Sequence, residues 1–269
     1  MKEKIPRIAC YAFLIIAAFL SIFPFIWMVI GSTNQTIDIY KGKLSLGPYL
    51  PQNYVNLKDT TVYFTAYLNS VLVTVGTTAI AVLLCAMGGY AFEIYKSKSM
   101  NGLFGFLLLS MMIPFAAIMV PLFRMFSRAG MLNMRVTMGI PYLATAFLIF
   151  FFRQSTKQFE KALVDAARID GVGEVGIFFR IFVPTMKSTF AAAIIITFMN
   201  NWNSYVWPLL VIQSNDLQTL PLLIAAMGSA YTPDYGMIMV GIVLATVPII
   251  ILFLTMQKQF VRGMLGSVK

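Results

Sequence analysis

Long apolar stretches separated by short polar segments dominate this chain, and no segment shows the residue-by-residue alternation of a half-buried strand. A run of about 20 apolar residues is long enough to cross a bilayer as a helix, whereas a membrane β-barrel would show repeated alternating segments. The pattern therefore predicts an all-α membrane protein whose six transmembrane helices form one membrane domain, residues 1–269. The predicted spans are 8–30, 65–92, 102–123, 139–153, 188–210 and 236–257.

Composition supports this interpretation. Hydrophobic residues make up 59% of the 269 residues and charged residues only 11%, against about a quarter charged in an average soluble domain. The first apolar stretch has a basic start like a signal peptide, but it carries Trp27 near its outer end and lacks a small-residue cleavage site. It is therefore predicted to be a retained helix. The glycine- and proline-containing segment 31–64 is predicted to be an extracytoplasmic loop.

The net charge of +10 would suggest nucleic acid or an acidic partner for a soluble protein. With six spans, however, both termini lie on one side of the membrane, and that side holds fourteen of the twenty basic residues. Because basic residues accumulate in cytoplasmic loops, both termini, the loop 154–187 and the tail 258–269 are predicted to be cytoplasmic. The charge thus indicates a multi-pass protein in contact with membrane lipid, and no nucleic acid.

Several kinds of chemistry are missing from the sequence. There is no histidine, which excludes Ser-His-Asp and Cys-His catalysis and most zinc sites. The one Gly-Lys pair, Gly42-Lys43, lacks the earlier glycine of a phosphate-binding loop. The carboxylates lie in tails and loops or, for Glu93, at the end of a span, whereas coupled carriers usually keep ionisable groups at membrane depth. We predict no catalytic, cofactor or metal site here; sodium coupling through carbonyls and hydroxyls stays open.

The cytoplasmic loop has a pattern of its own. The stretch 159–169 favours a helix, with small and apolar residues at spacings of three and four: Ala162, Leu163, Ala166 and Ala167. Gly171 and Gly173 then interrupt the helix. A second apolar set precedes Pro184 and comprises Val175, Phe178, Phe179 and Phe182. The pattern predicts helix, glycine joint, helix, which either caps the bundle or presents a docking surface to a partner.

The loop resembles the cytoplasmic EAA loop of ATP-binding-cassette importer permeases, whose pattern is Glu-Ala-Ala, a glycine four residues on and a proline thirteen residues later. Asp165-Ala166-Ala167, Gly171 and Pro184 match these spacings, with aspartate in place of the usual glutamate. Further similar segments lie at 23–32, 111–123, 200–211, 219–226 and 257–269. Together they are similar to the shorter permease of the maltose-type carbohydrate importers of the prokaryotic plasma (inner) membrane.

This resemblance implies partners. Two homologous permeases would form the pathway, two ATP-binding subunits would bind ATP and Mg and carry out the hydrolysis, and an extracytoplasmic sugar-binding protein would deliver the sugar. The chain itself would be no enzyme. Its loop, about 160–171, would dock on an ATP-binding subunit through Glu160, Leu163, Asp165, Ala166, Ala167, Asp170, Gly171 and Pro184. The resemblance also implies that the C-terminal tail contacts the ATP-binding subunits through Gln257, Arg262 and Lys269.

Sugar contact requires hydrogen-bonding groups and aromatic faces. The fifth span supplies both in Asn200, Asn201, Trp202, Asn203, Tyr205 and Trp207. The alternative is that the tryptophans are interfacial anchors and the asparagines bond neighbouring helices. Helix packing also explains the polar side of the second span, formed by Asn69, Ser70, Thr74, Thr77 and Thr78.

Two other functions compete with an importer permease. A self-sufficient secondary carrier or channel for a small polar solute would work without a partner ATPase, which would leave the Asp165-to-Gly171 pattern unexplained. A membrane-embedded enzyme is disfavoured by the missing histidine and the lack of a convergent carboxylate pair.

Overall fold

The computed structural model describes residues 4–60 and 62–265, with side chains from 9 to 259 within these ranges, and all regular secondary structure in this part of the chain is helical. The helices, in chain order, are α1 (Lys4–Ser32), α2 (Thr36–Tyr40), α3 (Leu50–Asp59), α4 (Tyr63–Ile94), α5 (Lys98–Ser110), α6 (Phe115–Arg128), α7 (Arg135–Gly139), α8 (Ala146–Thr156), α9 (Ala162–Ile169), α10 (Glu174–Ile177), α11 (Val183–Thr185), α12 (Lys187–Trp202), α13 (Val206–Val211), α14 (Leu220–Gly228) and α15 (Tyr235–Leu265).

Three single helices of the described chain, α1, α4 and α15, are long and apolar enough to cross a membrane. Three bent pairs also qualify, which gives up to six spans if each pair is one span. The pairs are α5 with α6, bent by 96°, Arg135–Tyr142 with α8, bent by 47°, and Glu174–Thr185 with α12, bent by 83°.

Three of the predicted spans are not continuous helices. The stretch 102–123 is interrupted between Ser110 and Phe115, where Pro114 is extended at ψ 140°. Proline has no N–H for the helical ladder and restricts the residue before it, so the chain turns here. The stretch 188–210 ends its helix at Trp202 and starts a new one at Val206, without a proline at the break. In the stretch 139–153, the helix α8 begins only at Ala146.

One compact unit consists of Met1–Phe64 and Leu223–Val247. The segment 31–64, predicted to be a loop, contains α2 and α3, so that prediction was incomplete. Two buried amides organise it. The Asn34 side chain donates to the carbonyls of Ile30 and Ser45, each at 2.9 Å, and the Asn53 side chain donates to those of Ser32 and Asn34, also at 2.9 Å. The bond to Ser32 pairs a carbonyl of the last turn of α1, and the other bonds join this end of the helix to the segment that follows it.

The second unit consists of Thr65–Leu222 and Pro248–Lys269, and α4 supplies much of its core. A Cβ at Gly89 would lie 2.5 Å from Phe152 Cβ and 2.7 Å from the Arg153 nitrogen, so only glycine allows α4 and α8 to approach this closely. Next to this contact lies an aromatic cluster whose members belong to α4, α8 and the loop 154–187: Tyr90, Phe152, Phe159, Phe178 and Phe182. The loop is therefore packed onto the end of α4.

Candidate functional site

The loop 154–187 folds as helix, glycine turn, helix, as the sequence predicts. The first helix, α9, begins at Ala162, three residues later than the predicted stretch. At its end Gly171 has φ +77°, its N–H donates to the carbonyl of Arg168 at 3.1 Å, and the N–H of Val172 donates to that of Ala167 at 2.9 Å. Glycine adopts this left-handed conformation without a steric penalty, so Gly171 sets the direction in which the chain leaves α9.

The two faces of α9 have different surroundings. Val164 and Ala167 are buried against the aromatic cluster. The opposite face is exposed, and Ile169 there is 87% accessible although it is apolar. Its other members are Ala162, Leu163, Asp165, Ala166 and Asp170. The structure therefore divides the predicted alanine face: Asp165 and Ala166 point to solvent, and Ala167 packs inward. Glu160 and Pro184, on either side, are exposed as well.

The second apolar set is also divided. Phe178 and Phe182 are buried, but Val175 is 72% exposed and Phe179 is half-exposed. A π-helical stretch at Phe178–Phe182 connects α10 to α11. Phe178 and Phe182 lie on its buried side, with their ring centroids 5.5 Å apart. A short helix containing Pro184 follows, and the chain bends before α12.

A polar clamp spans the glycine turn. Arg168, on α9, donates from Nε to Glu174 Oε1 of α10 at 2.8 Å, and the hydroxyl of Tyr95 donates to the other carboxylate oxygen. Asp165 lies 3.5 Å from the Arg168 guanidinium. The hydrogen bond to Glu174 stabilises the charged guanidinium and raises the pKa of Arg168 above its usual value. The clamp joins both sides of the turn to the residue that follows α4.

A second ionic cluster surrounds Glu93, which is 1% exposed near the end of α4. Its Oε1 lies 2.5 Å from Lys96 Nζ and 3.5 Å from Lys161 Nζ, and its Oε2 lies 3.7 Å from Arg153 Nε. Arg153, on α8, also donates from Nη2 to Asn101 Oδ1 at 2.8 Å and stacks on the Phe104 ring. One buried carboxylate is thus shared by three cations, because removing an ion from water is costly unless it is paired.

The candidate sugar-binding residues are only partly brought together. Asn201 and Trp202, at the end of α12, line a narrow cavity of about 10 Å³ together with Ser70 and Thr74 of α4. The Asn201 amide lies 3.5 Å from the Thr78 hydroxyl. Asn200, Asn203 and Tyr205 are exposed. The cavity is close to the smallest space that holds a water molecule, so this conformation has no room for a sugar beside Asn201.

Trp207 belongs to a different environment. It is 1% exposed, its indole N–H donates to the Thr137 carbonyl at 2.9 Å, and its ring packs against Phe115 and Phe126. In this conformation it is a core residue between α6, α7 and α13.

The polar side chains of α4, from Asn69 to Thr78, are also buried. The Asn69 amide donates to the carbonyls of Asp216 and Gln218 at 2.8 and 3.0 Å, and its oxygen accepts from Arg135 at 2.8 Å. This agrees with a packing role.

The predicted tail contact falls mostly outside the described side chains. Gln257 lies on α15, where its amide approaches the Leu254 carbonyl at 3.4 Å. The side chain of Arg262 and the whole of Lys269 lie outside the described residues.

Sequence reasoning missed the ionic groups that hold the loop. The sequence places Glu93 at the end of its span and gives no sign of a role for Tyr95, Arg153 or Arg168. The only local signal is Lys96, three residues after Glu93. Arg153 and Lys161 are far away in sequence, so their pairing depends on the tertiary fold.

Comparisons with known proteins agree with this architecture. Residues 87–266 match the family described as the binding-protein-dependent transport system inner membrane component. The chain is 47% identical to the lactose transport system permease protein LacG of Rhizobium radiobacter, over 100% of this chain and 98% of that protein. It is 34% identical to the arabinooligosaccharides transport system permease protein AraQ of Bacillus subtilis (strain 168), over 98% and 96% of the two chains.

Solved structures show the same fold. A chain of a bacterial ABC transporter involved in the import of the acidic polysaccharide alginate superposes with a TM-score of 0.84 at 20% identity, covering 97% of this chain and 98% of that one. A chain of a bacterial alginate ABC transporter in complex with an alginate pentasaccharide-bound periplasmic protein gives a TM-score of 0.65 at 14% identity, over 94% of each chain. Family membership does not support the self-sufficient carrier or channel. The chain belongs to the family of inner membrane components of binding-protein-dependent transport systems.

Proposed function

We propose that this chain is the permease subunit of an ATP-driven importer of a sugar or oligosaccharide, and that α9 is the element through which it is driven. The chain forms half of the translocation pathway beside a second, homologous permease. Two ATP-binding subunits bind ATP and Mg and hydrolyse the nucleotide, and this chain has no catalytic role of its own. An extracytoplasmic binding protein delivers the sugar. Both termini and α9 are cytoplasmic, as the distribution of basic residues indicates.

The observation that carries the proposal is the exposed outer face of α9. A side chain such as Ile169, apolar and 87% accessible at the end of a short helix, leaves apolar surface in water that a partner can cover. Leu163 and Ala166 extend this surface, and Asp165 and Asp170 add charges that a partner can recognise. The inner face, through Val164 and Ala167, is packed into the permease core. A displacement of α9 by the partner therefore moves residues of the permease itself.

A sugar substrate is supported by the relatives. LacG is named for lactose and AraQ for arabinooligosaccharides, and a relative at 27% identity from Yersinia pestis, UgpE, is named for sn-glycerol-3-phosphate. The exposed groups of the candidate pathway, Asn200, Asn203 and Tyr205, include the amides and aromatic ring that a sugar requires. Asn201 and Trp202 join them once the narrow cavity beside α4 opens.

The proposal is tested on the importer purified with its partners. ATP hydrolysis is measured with the binding protein loaded from a panel of sugars that includes lactose and arabinooligosaccharides. We expect one loaded sugar to stimulate hydrolysis, because delivery of the substrate favours the conformation that closes the ATP-binding subunits. If no ATPase accompanies the chain and the chain alone moves solute in vesicles, the proposal is wrong.

The role of α9 is tested at Gly171. A Cβ at this residue meets no atom within 4 Å, so Gly171→Val adds backbone strain without a steric clash. Strain of about 2 kcal/mol in the left-handed region would change a conformational equilibrium about 30-fold. We expect ATP hydrolysis to continue while sugar uptake falls at least about tenfold, because α9 leaves its coupled orientation.

Gly173→Val is the matched control. Gly173 lies two residues on in the same loop and has an ordinary extended conformation at φ −67°, and a Cβ added there also meets no atom within 4 Å. We expect this variant to transport like the unaltered importer. Equal uptake by both variants would refute the coupling role of the Gly171 turn.

A further inference from the structure

We propose that Glu93 is a positioning residue that fastens α9 to α4, so that a displacement of α9 is passed directly to α4. The inference rests on the proposed function, since it concerns how an ATP-driven movement of α9 reaches the pathway. Chain connectivity does not suggest this direct link between α9 and α4, because Lys161 lies 67 positions after Ile94, the end of α4.

The end of α4 contacts α9 near both of its ends. At the start of α9, Glu93 lies 3.5 Å from Lys161, the residue that immediately precedes the helix. At the end of α9, Tyr95 bonds Glu174, which in turn binds Arg168. Two separate polar contacts, one on each side of the helix, resist both sliding and rotation of α9 relative to α4.

The Glu93 contact differs from an ordinary surface ion pair because the carboxylate is buried. Glu93 is 1% exposed, whereas the side chains of Lys96 and Lys161 are 45% and 49% exposed. A buried carboxylate is costly to leave unpaired, so it keeps its cations when the loop moves. Arg153 of α8 lies 3.7 Å from the Glu93 carboxylate, beyond hydrogen-bond distance, and contributes an opposite charge. Lys96 and Lys161 are both closer to the carboxylate than Arg153 is.

The other end of the route is the candidate pathway. The same helix α4 carries Ser70 and Thr74, which line the narrow cavity with Asn201 and Trp202, and Thr78, which lies 3.5 Å from the Asn201 amide. These residues belong to the same compact unit as Glu93 and α9. A movement of α4 along or about its axis would therefore alter the cavity beside Asn201 without passing through the bend before α12.

The two lysines of Glu93 provide the test. Lys96→Met and Lys161→Met each remove one half-exposed cation from the same carboxylate oxygen, and Arg153 remains in both variants to compensate the buried charge. Only Lys161 belongs to the α9 side; Lys96 follows α4 itself. Sugar uptake and ATP hydrolysis are measured together in vesicles containing the importer with its partners, and assembly is checked by size-exclusion chromatography.

We expect Lys161→Met to raise the ATP consumed per sugar about threefold, because the loss of one ion pair biases a two-state coupling element. We expect Lys96→Met to leave this ratio unchanged, although Lys96 lies closer to Glu93 than Lys161 does. Equal ratios in the two variants, whether raised or unaltered, would overturn the positioning role of Glu93. If the unaltered importer shows no sugar-stimulated hydrolysis, the proposed function itself fails, so the two failures are distinguished.

Discussion

The helices α1 and α4 are both long and apolar enough to span a membrane, yet they differ in how much of each is buried within the chain. In the most apolar part of α1 none of the residues is buried, whereas in that of α4 39% of the residues are buried. Phe13 and Leu20 of α1 are exposed by 70% and 65%. In α4, by contrast, Cys85 and Ala86 are fully buried and glycine allows contact with α8 at Gly89. High hydropathy therefore identifies both spans but not which of them organises the core.

The polar side chains of the two helices explain much of the difference in their burial. Helices in lipid gain little from burying apolar side chains against each other, because lipid tails are equally apolar, and association depends on close packing and on hydrogen bonds between helices. The helix α4 has small residues and buried hydroxyls and amides, including Asn69, Ser70 and Thr74. In the exposed stretch of α1 the hydroxyl of Ser21 bonds its own helix at the Ala17 carbonyl, 2.8 Å away.

The largest expected effect is at Gly89. Gly89→Val would place a Cβ within 2.5 Å of Phe152 Cβ and separate α4 from α8, at a cost of about 3 kcal/mol or more. Thermal unfolding is followed by the alkylation rate of Cys85, which is fully buried, in a Cys10→Ser background. Gly76→Val is the control, since a Cβ at this glycine of α4 meets no atom within 4 Å. Similar unfolding of both variants would contradict the close contact.

A smaller effect is expected when a polar residue is removed. Asn69→Ala removes the partner of the Asp216 and Gln218 carbonyls and of the Arg135 guanidinium. We expect this to lower the free energy of unfolding by about 2 kcal/mol. Ser21→Ala removes a bond within α1, and we expect a change below about 0.5 kcal/mol. The same Cys85 alkylation measurement checks both, and an equal shift for the two variants would remove the distinction between the helices.

The smallest effect is expected for one substitution made in both helices. Val82 of α4 is 5% exposed and Val29 of α1 is 46% exposed. Val82→Ala loses packing contacts but little transfer free energy in a lipid environment, so we expect a cost of about 1 kcal/mol. Val29→Ala should remain within about 0.5 kcal/mol of the unaltered protein. A larger loss at Val29 would show that α1 is packed in the assembled importer.

Much of the candidate site was accessible to sequence reasoning. The helix and glycine joint of the loop depend on local preferences, so α9 and the turn at Gly171 lie close to their predicted positions. The division of the faces was not predicted, because burial of the loop's apolar side chains depends on contacts with α4 and α8 that no local pattern specifies. The break at Pro114 could have been anticipated from the proline, but prolines elsewhere, such as Pro24 in α1 and Pro248 in α15, remain inside continuous helices.

By itself the sequence determined the helical class, the apolar stretches and the loop that resembles a coupling motif, because hydropathy, glycine turns and short motifs are properties of neighbouring residues. The tertiary structure decided which span forms the core and which charges hold the loop. Glu93 meets Arg153 and Lys161 only after α4, α8 and the start of α9 have packed together. Pairing of residues so distant in the chain depends on helix packing at Gly89 and in the aromatic cluster, which no local pattern specifies.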